Sequence, residues 1–442
     1  MRGLVAAFTL ATLLTACGGR AAEPRAPFWP KRVRVGQDVR ELVRSAGEPG
    51  AAGFHRYEYV FPDRGIAVYD IDHWHRLVAR WSVPEAHGLR GVAVCPVTRT
   101  LYLSVGGNGG TSGTGALIAY DLTGNRVLWM RSFPTGTDSP AITPNGRTLY
   151  LPTGERTSGD VWYVVDARTG HVRSEIHAGP GPHNTIVSPD GRRVYLGPRN
   201  SKYLYVASTR TDRVVRRIGP LLAGVRPFTI NGPQTLAYTT ATGFLGFQVS
   251  SIRTGHVLYT VPIRGVRQGR SLGTPSHGIT LSPDSRELYV IDVPNSYVHL
   301  FDVSRLPRRP PRHVADIRLK HTMVGEEQPC GGDCGRAGWL QHSLNGRYVY
   351  VGDSGDVINT RTRRVAGFLS ALRNSRYQLE LDWDGNVPVQ TSSRSGIGRL
   401  RAHFGRWRRS TTGPRAGRAA RRTAGCAGSR RRASTRSRPA SR

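Results

Sequence analysis

His183 and His277 stand in matching phrases, Pro182-His183-Asn184 and Ser276-His277-Gly278, each twelve residues ahead of a tyrosine, Tyr195 and Tyr289. Four more tyrosines share that local setting, Tyr102, Tyr150, Tyr238 and Tyr350. The same count back from them lands on Arg90, Asp138, Arg226 and Gly338. In a seventh, less regular stretch, Tyr377 stands twelve residues before Val389. Two guanidinium groups in such a set can clamp a carboxylate or phosphate. An imidazole titrates near neutral pH and serves as acid or base. His183, His277 and Asp138 are also donor types that suit Zn²⁺ or another divalent ion. The set reads as a polar pocket for an anionic or polyol ligand, with His183 and His277 as catalytic candidates. In the competing reading these side chains only hydrogen-bond their structural neighbours. His87 and Asp333 lie on the loops just before the set.

Other candidates carry less. No His-Glu-x-x-His or Cys-x-x-Cys-His occurs, so no zinc helix or covalent c-type haem is expected. Gly106 to Gly110 is glycine-rich, but no helical pattern follows it, and it reads as a flexible loop. His73-Trp74-His75 after Asp70-Ile71-Asp72 reads as a solvated hairpin turn.

Only a repeat could bring the set together. The six tyrosines lie in short apolar runs, such as Leu149-Tyr150-Leu151 and Leu288-Tyr289-Val290, spaced 48, 45, 43, 51 and 61 residues apart. Four runs follow a turn phrase: Thr143-Pro144-Asn145-Gly146-Arg147, Ser188-Pro189-Asp190-Gly191-Arg192, Ser282-Pro283-Asp284-Ser285-Arg286 and Ser343-Leu344-Asn345-Gly346-Arg347. Pro presets φ there, Asp or Asn bonds its own backbone, and Gly takes positive φ. Another strand ending near Asp and a turn then follows, as at Ala119-Tyr120-Asp121, and after it a fourth, as at Val127-Leu128-Trp129. Four short strands per repeat of this length match one blade of a β-propeller. The predicted fold is all-β, a seven-bladed propeller of four-stranded antiparallel blades. The seventh blade joins both ends of the domain: Tyr377 to Asp382 opens it, and the strands between Tyr57 and Val83 continue it. Val387 to Thr391 and Tyr57 to Phe61 both fit its second strand. The register set then becomes a ring at one mouth of the central channel.

Ser-Pro-Asp-Gly-x-x-Val/Leu-Tyr-Val preceded by Pro-His-Asn or Ser-His-Gly resembles the YVTN-type seven-bladed propellers. Relatives of that shape include lactonase-type propellers, heavy subunits of quinoprotein amine dehydrogenases and the haem d1 domain of nitrite reductases. The resemblance spans roughly residues 54–400 and speaks to fold far more than to activity.

The ends place the domain. Met1-Arg2, an apolar run from Leu4 to Leu14 and then Leu14-Thr15-Ala16-Cys17 form a secretory signal, residues 1–17, too short to span a bilayer. Leu-Thr-Ala-Cys resembles the bacterial lipobox, which implies lipidation of Cys17 and membrane attachment. Residues 18–53 read as a tether, 54–400 as the propeller and 401–442 as a disordered Arg-rich tail, or the product of a shifted reading frame. Cys330 and Cys334 suit a small loop disulfide in an exported chain. Cys95 reads as a core residue.

The net charge is +33, and only Lys31, Lys202 and Lys320 among the 63 basic residues are lysine. Residues 402–442 hold 13 Arg and no acid, which leaves 50 basic against 30 acidic residues before them. That balance favours anionic envelope components, or another envelope protein, as neighbours. Nucleic acid is not expected of an exported chain. The leading expectation is a lipid-anchored extracytoplasmic propeller, at the periplasm or cell surface, that acts as a binding or scaffold module. The runner-up is a lactonase- or lyase-type enzyme using His183, His277 and the arginines. A third reading is a redox partner that binds a quinone-type cofactor or a metal.

Overall fold

Twenty-nine short strands and almost no helix make up the described part of the chain, residues 53–110, 113–269, 273–323 and 337–392 of a computed structural model. Cys17, the tether, the Cys330–Cys334 pair, Asp333 and the basic tail lie outside the described residues.

The strands form seven antiparallel sheets arranged in a ring. Blade 2 is β4 (Leu89–Cys95), β5 (Thr100–Gly106), β6 (Gly115–Asp121) and β7 (Arg126–Phe133). Blade 3 is β8 (Ala141–Ile142), β9 (Thr148–Pro152), β10 (Val161–Asp166) and β11 (Val172–His177). Blade 4 is β12 (Pro182–Val187), β13 (Arg193–Pro198), β14 (Leu204–Ser208) and β15 (Arg213–Ile218). Blade 5 is β16 (Val225–Ile230), β17 (Leu236–Ala241), β18 (Gly246–Ser251) and β19 (Val257–Pro262). Blade 6 is β20 (Ile279–Leu281), β21 (Glu287–Asp292), β22 (Tyr297–Asp302) and β23 (Arg312–Arg318). Blade 7 is β24 (Trp339–His342), β25 (Tyr348–Gly352), β26 (Asp356–Asn359) and β27 (Arg364–Phe368). Blade 1 joins β1 (Phe54–Val60), β2 (Gly65–Asp70) and β3 (Arg76–Ser82) to β28 (Gln378–Asp384) and β29 (Val387–Thr391).

The turn phrase works as its chemistry requires. Ser188 Oγ donates to Asp190 Oδ1 at 2.6 Å, the Arg192 amide donates to the same oxygen at 3.1 Å, and Gly191 takes φ +68°. Thr143 with Asn145, Ser282 with Asp284 and Ser343 with Asn345 repeat the arrangement. The signature tyrosines are buried and reach into the following blade. Tyr102 donates to the Ala167 carbonyl at 3.1 Å, Tyr150 to Asp212 at 2.9 Å and Tyr195 to Gln234 at 3.2 Å. The repeated phrase therefore builds the blade and also clasps it to its neighbour, while apolar clusters fill the spaces between blades.

Two expectations need correction. The second strand of blade 1 is β1: it pairs with β28 from Phe54 opposite Asp384 to Val60 opposite Gln378. The run Val387–Thr391 is instead a fifth strand on the far, axial edge of β28. Val389 is thus no counterpart of the signature tyrosines; that position belongs to Glu58, opposite Glu380. Nor is the His73–His75 turn simply solvated. Trp74 is 96% exposed, but His75 lies 3.0 Å from the Tyr350 hydroxyl and meets Tyr348 edge-on, clasping blade 7 to blade 1. Burial lowers its pKa to about 4, so the imidazole is neutral there.

Candidate functional site

At the end of the ring where the axial strands begin lies a cavity, open to solvent at its mouth. Arg90 and His183 enter it from β4 and β12, Asp138 and His277 from the residues just before β8 and β20, and Tyr377 from the residue before β28. Equivalent strand starts in a closed ring face one axis, which is why a register in sequence becomes a cluster in space. Arg226 sits one layer behind, and Gly338 contributes its backbone. Tyr377 lines the cavity because β28 is an axial strand, not because of its distance from Val389. His87 stands apart, on Asp63 at the surface.

Glu155 organises the cluster. It extends from the loop after β9, which emerges at the same end as the axial strand starts. Its carboxylate meets Arg90 at 3.0 Å, Arg199 at 3.0 Å and Arg226 at 3.4 Å. Arg90 also lies 3.2 Å from Asp138. Gly109 lets the glycine loop close over this pair: at φ +64° it leaves no room for a Cβ, which would stand 2.8 Å from Arg90 Nη2. That loop is packed, not flexible. Burial opposes the charge on Glu155, yet His183 and the arginines hold its carboxyl well below the ordinary range. Asp138 is lowered too, by His183 and Arg90 against its burial. Burial and the Arg199 charge bring Arg226 down to about 10.

The expectation of an empty two-arginine clamp is therefore wrong. Arg90 and Arg226 already share an internal carboxylate. Beside Arg90, Asp138 and Glu155, the open space is lined by His183, His277, Trp339, Gln341, Arg376 and Tyr377. The two nitrogens of His183 lie 3.1 Å from Asp138 and 3.9 Å from Glu155, without a hydrogen bond to either. The Nδ1–H of His277 donates to the Gly338 carbonyl at 3.0 Å, which leaves Nε2 as the lone pair of a neutral ring. Burial, then Arg376 and His183, push its pKa well below the usual value. The two rings are 6.2 Å apart between centroids. The donors of His183, His277 and Asp138 do not gather into one metal-ligating group among the described residues.

Glu155, Arg199, Arg376 and Trp339 escaped the backward count. No single forward count finds the first two either: Glu155 is five residues after Tyr150 and Arg199 four after Tyr195. Arg376 and Trp339 adjoin the positions already marked, Tyr377 and Gly338.

No protein-family model matches the chain. Among curated proteins it is similar to the 5′-nucleotidase SurE of Acinetobacter baylyi, 26% identical over 147 residues, which is 30% of this chain and 56% of that protein. SurE of Acinetobacter baumannii matches over the same length at 27%. The chain thus spans just over half the length of the curated relatives it matches. Among solved structures it resembles the dihydro-heme d1 dehydrogenase NirN in complex with DHE, with a TM-score of 0.50 and 14% identity over 77% of this chain and 73% of that one. It also resembles a functionally unknown protein from Desulfotomaculum acetoxidans, with a TM-score of 0.54 and 12% identity over 73% and 98%. At these identities the structural likeness speaks to the fold alone.

Proposed function

We propose that the protein is an exported, Cys17-anchored propeller of YVTN type that binds a small anionic ligand in the cavity at its channel mouth. One observation carries the binding reading. Four guanidinium groups, Arg90, Arg199, Arg226 and Arg376, surround three carboxylates, Asp138, Glu155 and Asp353, beside a buried His183 whose nitrogens have no hydrogen-bond partner. The surplus positive charge attracts an anion, and His183 supplies a donor that no protein group uses. Trp339 and Tyr377 give the ligand an apolar wall. The lipobox-like N-terminus and the basic balance of the chain support a position against the anionic envelope.

Thermal melts with citrate, inorganic phosphate and adenosine 5′-monophosphate test the reading; the nucleotide is included because the curated relatives are 5′-nucleotidases. Ligand at a hundred times its Kd stabilises by about 2.7 kcal/mol. A rise of several degrees is expected, smaller in Arg376→Ala and His183→Ala. Anions that leave the melt unchanged, or shift both variants as much as the wild type, overturn it.

A second reading, lactonase- or lyase-type catalysis, is favoured by the Asp138–His183 contact beside a neutral His277 with a bare Nε2. In it His277 is the base and His183, 3.1 Å from Asp138, the acid. Turnover of a lactone panel that survives both His183→Gln and His277→Gln would reject it.

A further inference from the structure

On the outer half of blade 6, far along the sheet from the axial strands, three donor atoms converge. His299 Nδ1 lies 2.5 Å from Asp316 Oδ1, and His313 Nε2 lies 2.7 Å from the same oxygen. The ligand atoms of all three residues fall within 4.8 Å of one another. We propose that His299, His313 and Asp316 bind a divalent transition-metal ion of the Zn²⁺ class, with one coordination position open to solvent.

The backbone explains how the three meet. His299 and Asp316 are directly opposite across β22 and β23. His313 and Asp316 are three apart on β23, so in a regular strand they would point to opposite faces. A β-bulge between Leu300 and Phe301 skips Val314 and turns both to the face of His299. Every blade carries this bulge between its third and fourth strands, so the other six serve as internal controls. At the position of His313 they hold Leu77, Val127, Val172, Val214, Val257 and Val365. The fold asks for an aliphatic side chain there, and blade 6 alone offers an imidazole.

A second observation concerns orientation. His299 Nε2 lies 3.1 Å from Asp292 Oδ2, a fully buried carboxylate. A carboxylate only accepts, so Nε2 carries the hydrogen and Nδ1 is left to face Asp316. Carboxylate–imidazole pairs of this kind orient metal-ligating histidines. With the hydrogen on Nε2, Nδ1 and the Asp316 oxygen are both acceptors; at 2.5 Å they share a proton, which a metal ion would replace as the two side chains part to ligand distance. The ring of Tyr297 stacks on His299, and Phe301 packs on His313, holding both imidazoles in place. Asp316 and His313 are about half exposed, so an ion reaches the site from solvent. Two imidazoles, one carboxylate and an open position form a donor set that suits Zn²⁺.

The test is calorimetric titration of metal-free full-length protein with Zn²⁺, and visible absorption with Co²⁺ as the reporter ion. His313→Val installs the sister-blade residue and should melt like the wild type in the absence of metal. The difference between wild type and this variant isolates the site from the other histidines, His183 and His277 included. Zn²⁺ affinity is expected to fall at least ~10-fold, and the tetrahedral Co²⁺ bands to disappear. Asp292→Asn, which removes the orienting carboxylate from His299 but keeps an Oδ1 acceptor for the Asn295 amide, should weaken binding about 10- to 100-fold. A His313→Val titration that superimposes on the wild type, or a wild type that takes up no Zn²⁺ at all, overturns the proposal.

Discussion

Glu155 decides what the channel mouth offers a ligand. It neutralises Arg90, Arg199 and Arg226 from within, so the anion site lies beside the internal carboxylate and not between bare arginines. Removing one partner of a buried ion pair costs about 3–5 kcal/mol, because the charge left behind stays buried. Glu155→Ala should accordingly lower the melting temperature by several degrees. It should also create an anion dependence. Sulfate stabilises most proteins a little, so the telling quantity is the extra gain in sulfate over chloride that the variant shows beyond the wild type. A variant whose melt responds to sulfate no more than the wild type would mean that the three arginines do not share this carboxylate in solution. The site was legible from sequence only in part, for a physical reason. In blades 2 to 7 the axial position stands twelve residues before a signature tyrosine, so His183, Arg90 and Asp138 could be counted out. Glu155 and Arg199 lie on loops between second and third strands, where no phrase recurs and length varies.

Among the elements, the seam between blades 7 and 1 departs most from its siblings. The signature position that elsewhere holds a buried tyrosine holds Glu58, cross-strand from Glu380, with Asp382 further along the same face of β28. Both oxygens of Glu58 are buried without a hydrogen-bond partner. Burial, reinforced by the Asp382 charge, raises the pKa of Glu58 and Glu380 well above 4.5. The folded protein therefore keeps protons that the unfolded chain releases near pH 4.5. Their contribution to stability is full below that pH and is lost progressively as pH rises toward the folded values. Glu58→Gln removes one such group without changing its shape. Its melting temperature should match the wild type near pH 4.5 and exceed it increasingly toward pH 8. A difference that stays constant across this range would show that Glu58 does not titrate with folding.

For the whole molecule, closure is the issue. The seven-blade count was legible because one turn chemistry recurs, and so was the sharing of blade 1 by both ends of the domain. The place of β29 was not: Val387–Thr391 and Tyr57–Phe61 have the same alternating pattern, and only the buried register of β1 on β28 separates them. That register makes β28 indispensable. Its Leu379, Leu381 and Trp383 are 1%, 0% and 0% exposed and pack with Tyr57, Tyr59 and the strands of blade 2. Burying three such side chains contributes on the order of 5–9 kcal/mol, comparable with the whole net stability of a folded domain, about 5–15 kcal/mol. Loss of β28 would also bare an edge of β1 at the axis. β29 adds less buried apolar surface. It is half exposed at Val387 and Val389, and the residue after it, Ser392, ties blade 1 to Gln341 of blade 7. Two truncations test the closing strands together. A chain ending at Ser392 should melt cooperatively at the temperature of the full chain, because every strand of blade 1 remains. A chain ending at Tyr377 should show no cooperative melt and should be cut by trypsin throughout, because the ring cannot close. Circular dichroism melts with limited proteolysis check both. A cooperative melt from the shorter chain would mean that the other six blades hold the ring without the seam.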